Sequence, residues 1–376
     1  MKFAIRPSLA IVLLGIPASF LTLTGCGSSS SPTAAKSVYV IQAAQTNSVE
    51  TDSVLVFPAT STGSATPAST ISMPSGFFAY SVATGPKGEL YVGGDAGDGP
   101  GEILVFAAGA TGSATPVTTI TGGSSGTFDF PDFMTVNDQG QLFVMADDGS
   151  IEGFAANAAS TDAPTQYITT YQTSDSFSYG IGADRNGNIY VDDIGGGVIN
   201  VFAAGATGAA TPSRTITAMN ANSFGLLFSL TADADGNVMV ASFNPADDPF
   251  QGVHSKFAHP GHNFHLRHDL ATVLQQAKAH PDTAPTTAPT GLYVFSANAT
   301  GAATPTSAIT GSNTTVNEPE SMTADALNNI YYVDNEGGNL TFMSFKAGAT
   351  GNVAPSTSAT SSAYNNSNWV ALIAAY

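Results

Sequence analysis

The chain has 376 residues, 28 acidic against 10 basic, a formal net charge of −18, and only 10% charged residues in all. An acidic surface of this kind repels phosphate backbones, so nucleic acid is not expected as a partner. A single cysteine excludes an internal disulfide.

Lys2 and Arg6 begin the chain, an apolar run follows from Leu9 to Leu23, and Leu23-Thr24-Gly25-Cys26 closes it. Gly15 and Pro17 interrupt the run, which is short for a membrane span. The closing residues resemble the lipobox of bacterial lipoproteins. That resemblance implies a signal peptide over residues 1–25 and lipidation of Cys26 as the new N-terminus. Residues 26–36, with serines from Ser28 to Ser31, read as a flexible tether. By the same resemblance, Gly27 after the lipidated cysteine implies a bacterial cell envelope location at the outer membrane, with the membrane as a partner through the lipid. Without Lys2 and Arg6 the balance becomes 28 acidic against 8 basic.

From residue 37 onward one motif returns six times. Its clearest copies are Val105-Phe106-Ala-Ala-Gly-Ala-Thr-Gly-Ser-Ala-Thr-Pro116 and Val201-Phe202-Ala-Ala-Gly-Ala-Thr-Gly-Ala-Ala-Thr-Pro212. The anchors Phe57, Phe106, Phe154, Phe202, Phe295 and Phe345 lie 49, 48, 48, 93 and 50 residues apart. A period near 48 is that of a four-stranded propeller blade, and the long gap marks a blade with an insertion. The predicted fold is all-β, a single six-bladed β-propeller over residues 37–376.

Between the anchors lie Gly88-Glu-Leu90-Tyr91-Val92, Gly140-Gln-Leu142-Phe143-Val144, Gly187-Asn-Ile189-Tyr190-Val191, Gly236-Asn-Val238-Met239-Val240 and Asn328-Asn-Ile330-Tyr331-Tyr332. Each reads as a tight hairpin entering a strand. In blade 2 the expected strands are Ser81–Thr84 (a, innermost), Leu90–Gly93 (b), Ile103–Phe106 (c) and Thr118–Ile120 (d), with Pro116 opening the outer strand. The Thr-rich d strands suit a soluble edge. Ser37–Val40 looks like a strand b without its a, and Asn368–Ile373 like a strand a without its b. Together the two termini complete blade 1 and close the ring.

Asp184-Arg-Asn-Gly187-Asn188-Ile189-Tyr190-Val191 and Asp233-Ala-Asp-Gly236-Asn237-Val238-Met239-Val240 resemble the NHL-repeat family of six-bladed propellers. Blade 2 departs with Gly85 for Asp, and blade 6 with Asn328 for the turn Gly. The resemblance implies the fold. It leaves open scaffolds, ligand binders and hydrolases, since propellers host all three.

In blade 5, residues 246–290 enlarge the b–c loop and hold all six histidines. The run Leu270, Val273, Leu274, Ala277 has the spacing of a short amphipathic helix. His259, His262, His265 and His268 recur every three residues, a spacing that lines one side of a polyproline-like segment and offers imidazoles to a divalent metal. The alternative is a solvated polar loop.

The variable d–a and b–c loops share one face of the ring, the expected working face. Counting eight residues back from each turn Gly, or from Asn328, gives Tyr80, Asp132, Tyr179, Phe228 and Glu320 at the channel mouth. The aromatic members supply binding area. Related gluconolactonase-type propellers hold a divalent cation at this place, yet Asp132 and Glu320 lie on opposite sides of the ring, too far apart to chelate one ion unaided; Asp129, Asn317 and Glu318 are the further candidates, and nothing in the pattern forces them inward. Asp95, Asp98, Asp147, Asp148, Asp192, Asp193, Asp334 and Asn335 recur at the b–c hairpins and are expected as turn formers. No catalytic residues and no cofactor follow from these patterns. The expectation is a non-catalytic binding or scaffold module for a glycan, peptide or protein; the alternative is a metal-dependent hydrolase or lactonase in the channel.

Overall fold

The computed structural model describes residues 35–376 except 43–44, 47–48, 51, 98, 122–129, 147–148, 170–177, 194–196, 220–225, 245–287, 318, 335–339 and 364–372. Thr33–Tyr376 forms one compact unit. Six sheets with an antiparallel a-b-c-d order form its blades, two of them extended by a short parallel strand (Gly301–Ala303 and Gly63–Ser64), and Gln45–Thr46 pairs with Val49–Glu50 as a separate two-stranded ribbon. Blade 1 holds a Ile373–Ala375, b Ser37–Gln42, c Ser53–Pro58 and d Ser69–Ser72. Blade 2 holds Phe77–Thr84, Leu90–Ala96, Gly101–Phe106 and Thr118–Ile120; blade 3 holds Pro131–Val136, Leu142–Ala146, Ile151–Phe154 and Gln166–Ile168. Blade 4 holds Ile181–Ala183, Ile189–Asp193, Val198–Phe202 and Arg214–Met219. Blade 5 holds Leu226–Ala232, Val238–Phe243, Gly291–Phe295 and Ser307–Thr310; blade 6 holds Pro319–Ala324, Ile330–Asp334, Leu340–Phe345 and Thr357–Ser361. The fold is a six-bladed β-propeller.

The hydrophobic core divides into six clusters, one at each seam between neighbouring blades. This explains the periodic phenylalanines. Each anchor is fully buried and joins a cluster with the outer strand of the preceding blade: Phe106 with Ile71, Phe154 with Ile120, Phe202 with Ile168, Phe295 with Ile216, Phe345 with Ile309, and Phe57 with Ala359. A phenylalanine removed from water contributes about 1.5–3 kcal/mol. The repeat is therefore a repeat of seams.

The Ala-Thr-Gly segment staples those seams from outside. The Gly208 N–H donates to the Tyr167 carbonyl at 2.7 Å, and the Gly208 carbonyl accepts from the Thr169 N–H at 2.9 Å. The Thr207 hydroxyl donates to the same Tyr167 carbonyl at 2.9 Å. Equivalent parallel bridges join Gly112 to Ile71, Gly301 to Ile216, Gly351 to Ile309 and Gly63 to Ala359. Gly208 sits at φ +66° with open space around its missing Cβ, so backbone conformation and not room demands glycine there.

Several expectations change in detail. Strand a of blade 2 begins at Phe77 and strand b extends to Ala96. Pro116 precedes its outer strand by two residues, while the Val117 N–H already reaches the Val105 carbonyl at 2.7 Å. Five of the outer strands are not open edges, because the next blade's Thr-Gly pair covers them. The described part of the closing inner strand is Ile373–Ala375. It pairs Val38 with Ala375 and Val40 with Ile373, and the Tyr376 carbonyl accepts from the Lys36 and Ser37 N–H groups. Asn368–Leu372 lie outside the described residues.

Candidate functional site

The Asp-x-x-Gly-Asn turns work through their aspartates. The Asp184 carboxylate accepts the N–H groups of Asn186 and Asn188, the Asn188 amide at 2.7 Å and the Tyr190 hydroxyl at 3.1 Å. Asp233 and Asp325 repeat the arrangement, and all three are buried. A carboxylate that satisfies this many donors is a structural clamp on the a–b turn. That end of the ring, where the a–b and c–d loops lie, carries every described basic residue: Lys36, Lys87, Arg185, Arg214 and Lys346. Arg185 bridges Asp138 at 3.3 Å and Asp235 at 3.6 Å, linking the turns of blades 3, 4 and 5.

The opposite end differs. Asp52, Asp95, Asp132, Asp192, Glu320 and Asp334 stand there, and no described Lys or Arg does. Each lies at an N-terminal end of strand a or c, or at the C-terminal end of strand b.

Four of the five mouth positions share a local structure that periodicity did not reveal. In blade 2 the a–b register shifts between Ala79 and Ser81, so Tyr80 is the bulged residue. The shift falls at Asp132 in blade 3, at Phe228 in blade 5 and at Glu320 in blade 6. In blade 4 Tyr179 stands two residues before strand a begins. A bulge turns one side chain out of the pleat and is characteristic of sheet positions beside binding sites.

Carboxylates from the ends of strand b hold these entries. The Asp95 carboxylate accepts the Tyr80 hydroxyl at 2.9 Å, and Asp334 accepts the Asn317 N–H at 3.0 Å. Asp52 of blade 1 reaches across to the Ala79 N–H at 2.7 Å. Asp192 accepts the Ser178 hydroxyl and the N–H groups of Tyr179 and Gly180 at 3.1 and 3.0 Å. Asp95, Asp192 and Asp334 are thus fully buried supports of the mouth, beyond the turn-forming role expected for them. Burial pushes the Asp192 carboxyl up to about 7, against the donors that favour its anion. Burial and then Asp95 hold the Tyr80 phenol well above its usual range, with Asp52 and Asp132 adding to the effect. Burial and Asp95 also raise the Glu102 carboxyl.

Tyr80 packs edge-on to Phe130 at 5.9 Å, and Tyr179 edge-on to Phe133 at 6.0 Å. Both tyrosines are buried, while Asp132 and Glu320 are half-buried. The Phe228 side chain, Asp129, Glu318, Cys26 and the histidine segment with His259, His262, His265 and His268 lie outside the described residues. Below the mouth, the six inner strands enclose a channel cavity of about 120 Å³. Its serines tie neighbouring blades: the Ser81 hydroxyl donates to the Pro131 carbonyl at 2.6 Å, Ser229 accepts the Met322 N–H, and Ser321 accepts the Ile373 N–H. Among the described residues no group of three or more His, Cys, Asp or Glu could hold a metal ion. No described helix is long and apolar enough to cross a membrane.

The sequence matches no protein-family model and no curated protein. Among solved structures it is similar to the WD40 domain of coronin from Toxoplasma gondii, at TM-score 0.48 and 11% identity, over 88% of this chain and 68% of that one. It is also similar to a protein of unknown function from Bacteroides caccae, at TM-score 0.48 and 9% identity, over 92% of this chain and 99% of that one.

Proposed function

We propose that the chain is an NHL-type, envelope-anchored binding module that takes a ligand at its acidic channel mouth. The observation that carries this reading is the bulge, repeated at Tyr80, Asp132, Phe228 and Glu320, which sets one aromatic or acidic residue at the same end of the ring in blades 2, 3, 5 and 6. A rim of tyrosine and carboxylate, without a described cation on its face, favours neutral glycans or basic peptides over anionic ligands. The Asp184, Asp233 and Asp325 turns support the NHL likeness. The anchor rests on Leu23–Cys26 and the serine tether after it.

Binding of neutral oligosaccharides, basic peptides and acidic peptides to the full chain tests this reading. The expected result is binding of one of the first two classes, weakened at least tenfold by Asp132→Asn with Glu320→Gln, and none of the third. Equal binding of acidic peptides would overturn it. Turnover of lactones with Ca²⁺ or Zn²⁺, abolished by Asp132→Ala, would replace it with the hydrolase reading. Cys26→Ser is expected to move the protein from the membrane to the soluble fraction; unchanged partition would remove the anchor.

A further inference from the structure

The seam between blades 2 and 3 is built differently from the seam between blades 4 and 5, and the comparison identifies what the first is shaped to hold. In the 4/5 seam, Arg214 at the start of strand d lies with its guanidinium 5.6 Å from the centre of the Tyr190 ring. It donates to the Ala299 carbonyl at 2.7 Å and to the Tyr190 hydroxyl at 3.4 Å. The Asp184 carboxylate, bonded to that hydroxyl, supplies the countercharge.

In the 2/3 seam the same positions hold Tyr91, Thr118 and Ala158. Thr118 pairs with Val105 as Arg214 pairs with Val201. Ala158 lies four residues after its anchor Phe154, as Ala299 lies four after Phe295. Beside Thr118, in the place the other seam fills with Arg214, lies a cavity of about 340 Å³ walled by Tyr91, Val105, Thr118, Leu142, Asn157 and Ala158 among others. That volume is at the lower end of ligand pockets, about 300–1,000 Å³. The loop beside it is also altered. Ala159-Ser160 stand where five sister loops carry Thr-Gly, and the contact is made by the Thr121 N–H and hydroxyl, which both donate to the Ser160 carbonyl, at 2.8 and 3.0 Å.

A carboxylate lies on the adjoining turn, where it accepts the Lys87 N–H at 3.1 Å and, like Lys87, forms no wall of the cavity. Blade 2 has Gly85 in place of the turn aspartate, and Glu89 fills the vacated space. A Cβ on Gly85 would meet the Glu89 Oε2 at 2.7 Å and the Tyr91 ring at 3.2 Å. Burial and then Glu89 raise the Tyr91 phenol. Lys87, on the same turn, is exposed and forms no wall of the cavity.

We propose that the cavity between blades 2 and 3 is a binding site for a guanidinium group, stacked on Tyr91 beneath the Ala158 carbonyl as Arg214 is stacked on Tyr190. The group is the side chain of a partner's arginine or a free alkylguanidine; both present the same planar cation. This site lies at the end of the ring opposite the acidic mouth, so it stands independently of the mouth's ligand.

Calorimetric titration of the full chain with agmatine, with putrescine, and with the peptide Gly-Arg-Gly tests the assignment. Agmatine is expected to saturate at millimolar concentration or below, and putrescine, with an ammonium in place of the guanidinium, to bind at least fivefold more weakly. Thr118→Arg is expected to fill the cavity from within, raise Tm and weaken agmatine at least tenfold. Tyr91→Leu removes the ring and is expected to cost about fivefold in affinity. Tighter binding of Gly-Arg-Gly than of agmatine identifies a protein arginine as the source, and the reverse identifies a small guanidine. No saturation by about 20 mM, equal binding of putrescine, or undiminished agmatine binding by Thr118→Arg would each overturn the proposal.

Discussion

Asp192→Asn isolates one buried carboxyl, and its consequence is a change in how stability depends on pH. Asp192 has no exposed surface, and burial raises its carboxyl from 3.8 to about 7 in the folded chain. A group whose folded pKa lies above its unfolded value favours folding in its protonated form. That contribution is fully present below pH about 4 and is lost as pH rises through about 7, after which it changes no further. At 1.36 kcal/mol per pH unit, the full loss across the window is about 4 kcal/mol. Asparagine keeps an oxygen for the donors from Ser178, Tyr179 and Gly180 but has no proton to lose. Urea unfolding of parent and variant between pH 4 and 8 gives the difference in unfolding free energy. The parent is expected to fall relative to the variant by about 4 kcal/mol between pH 4 and 7, and to run parallel above about 7.5. Parallel curves across the whole range would show that burial of Asp192 does not govern its protonation.

Two glycine substitutions separate conformation from space. Gly208→Ala is expected to cost about 1–2 kcal/mol, because its left-handed φ of +66° strains alanine while nothing crowds the added methyl. Gly182→Ala is expected to cost about 3 kcal/mol or more, since its Cβ would lie 2.5 Å from the Ala232 backbone nitrogen in the neighbouring blade. Denaturant midpoints for both decide the matter; a reversed order would contradict the close approach of the inner strands of blades 4 and 5.

The ring was legible because its anchors are locally encoded. A buried phenylalanine, a turn glycine and an alternating strand recur at one period, and each signal needs only its own neighbours. The mouth positions were found by counting, but the bulges at Tyr80, Asp132, Phe228 and Glu320 were not. One extra residue in an inner strand leaves no mark on an apolar run such as Phe77–Ala83. The staple was hidden differently: Thr207-Gly208 was visible as a motif, while its partner Tyr167 lies 40 residues earlier in another blade. Asp192 and Asp334 look like hairpin residues because turn and burial favour the same residue type for different reasons. Aligning the blades position by position reveals the exceptions. Ser160 in place of glycine, and Arg214 where other blades carry Ser69, Thr118, Ser307 or Thr357, are departures a single repeat cannot show.

Closure of the ring by the two ends of the chain is the claim on which the faces, the mouth and the seams depend. Val38 and Ala375 are directly opposed in adjacent strands, next to the mutually bonded pair Ser37 and Tyr376. They therefore form a non-hydrogen-bonded pair, in which side chains stand closest. Val38→Cys with Ala375→Cys, in a Cys26→Ser background, places two thiols at that contact. An intramolecular disulfide is expected under mild oxidation, with a monomer on non-reducing gels and a Tm above that of the reduced form. Free thiols under the same conditions, or cross-links only between chains, would contradict it.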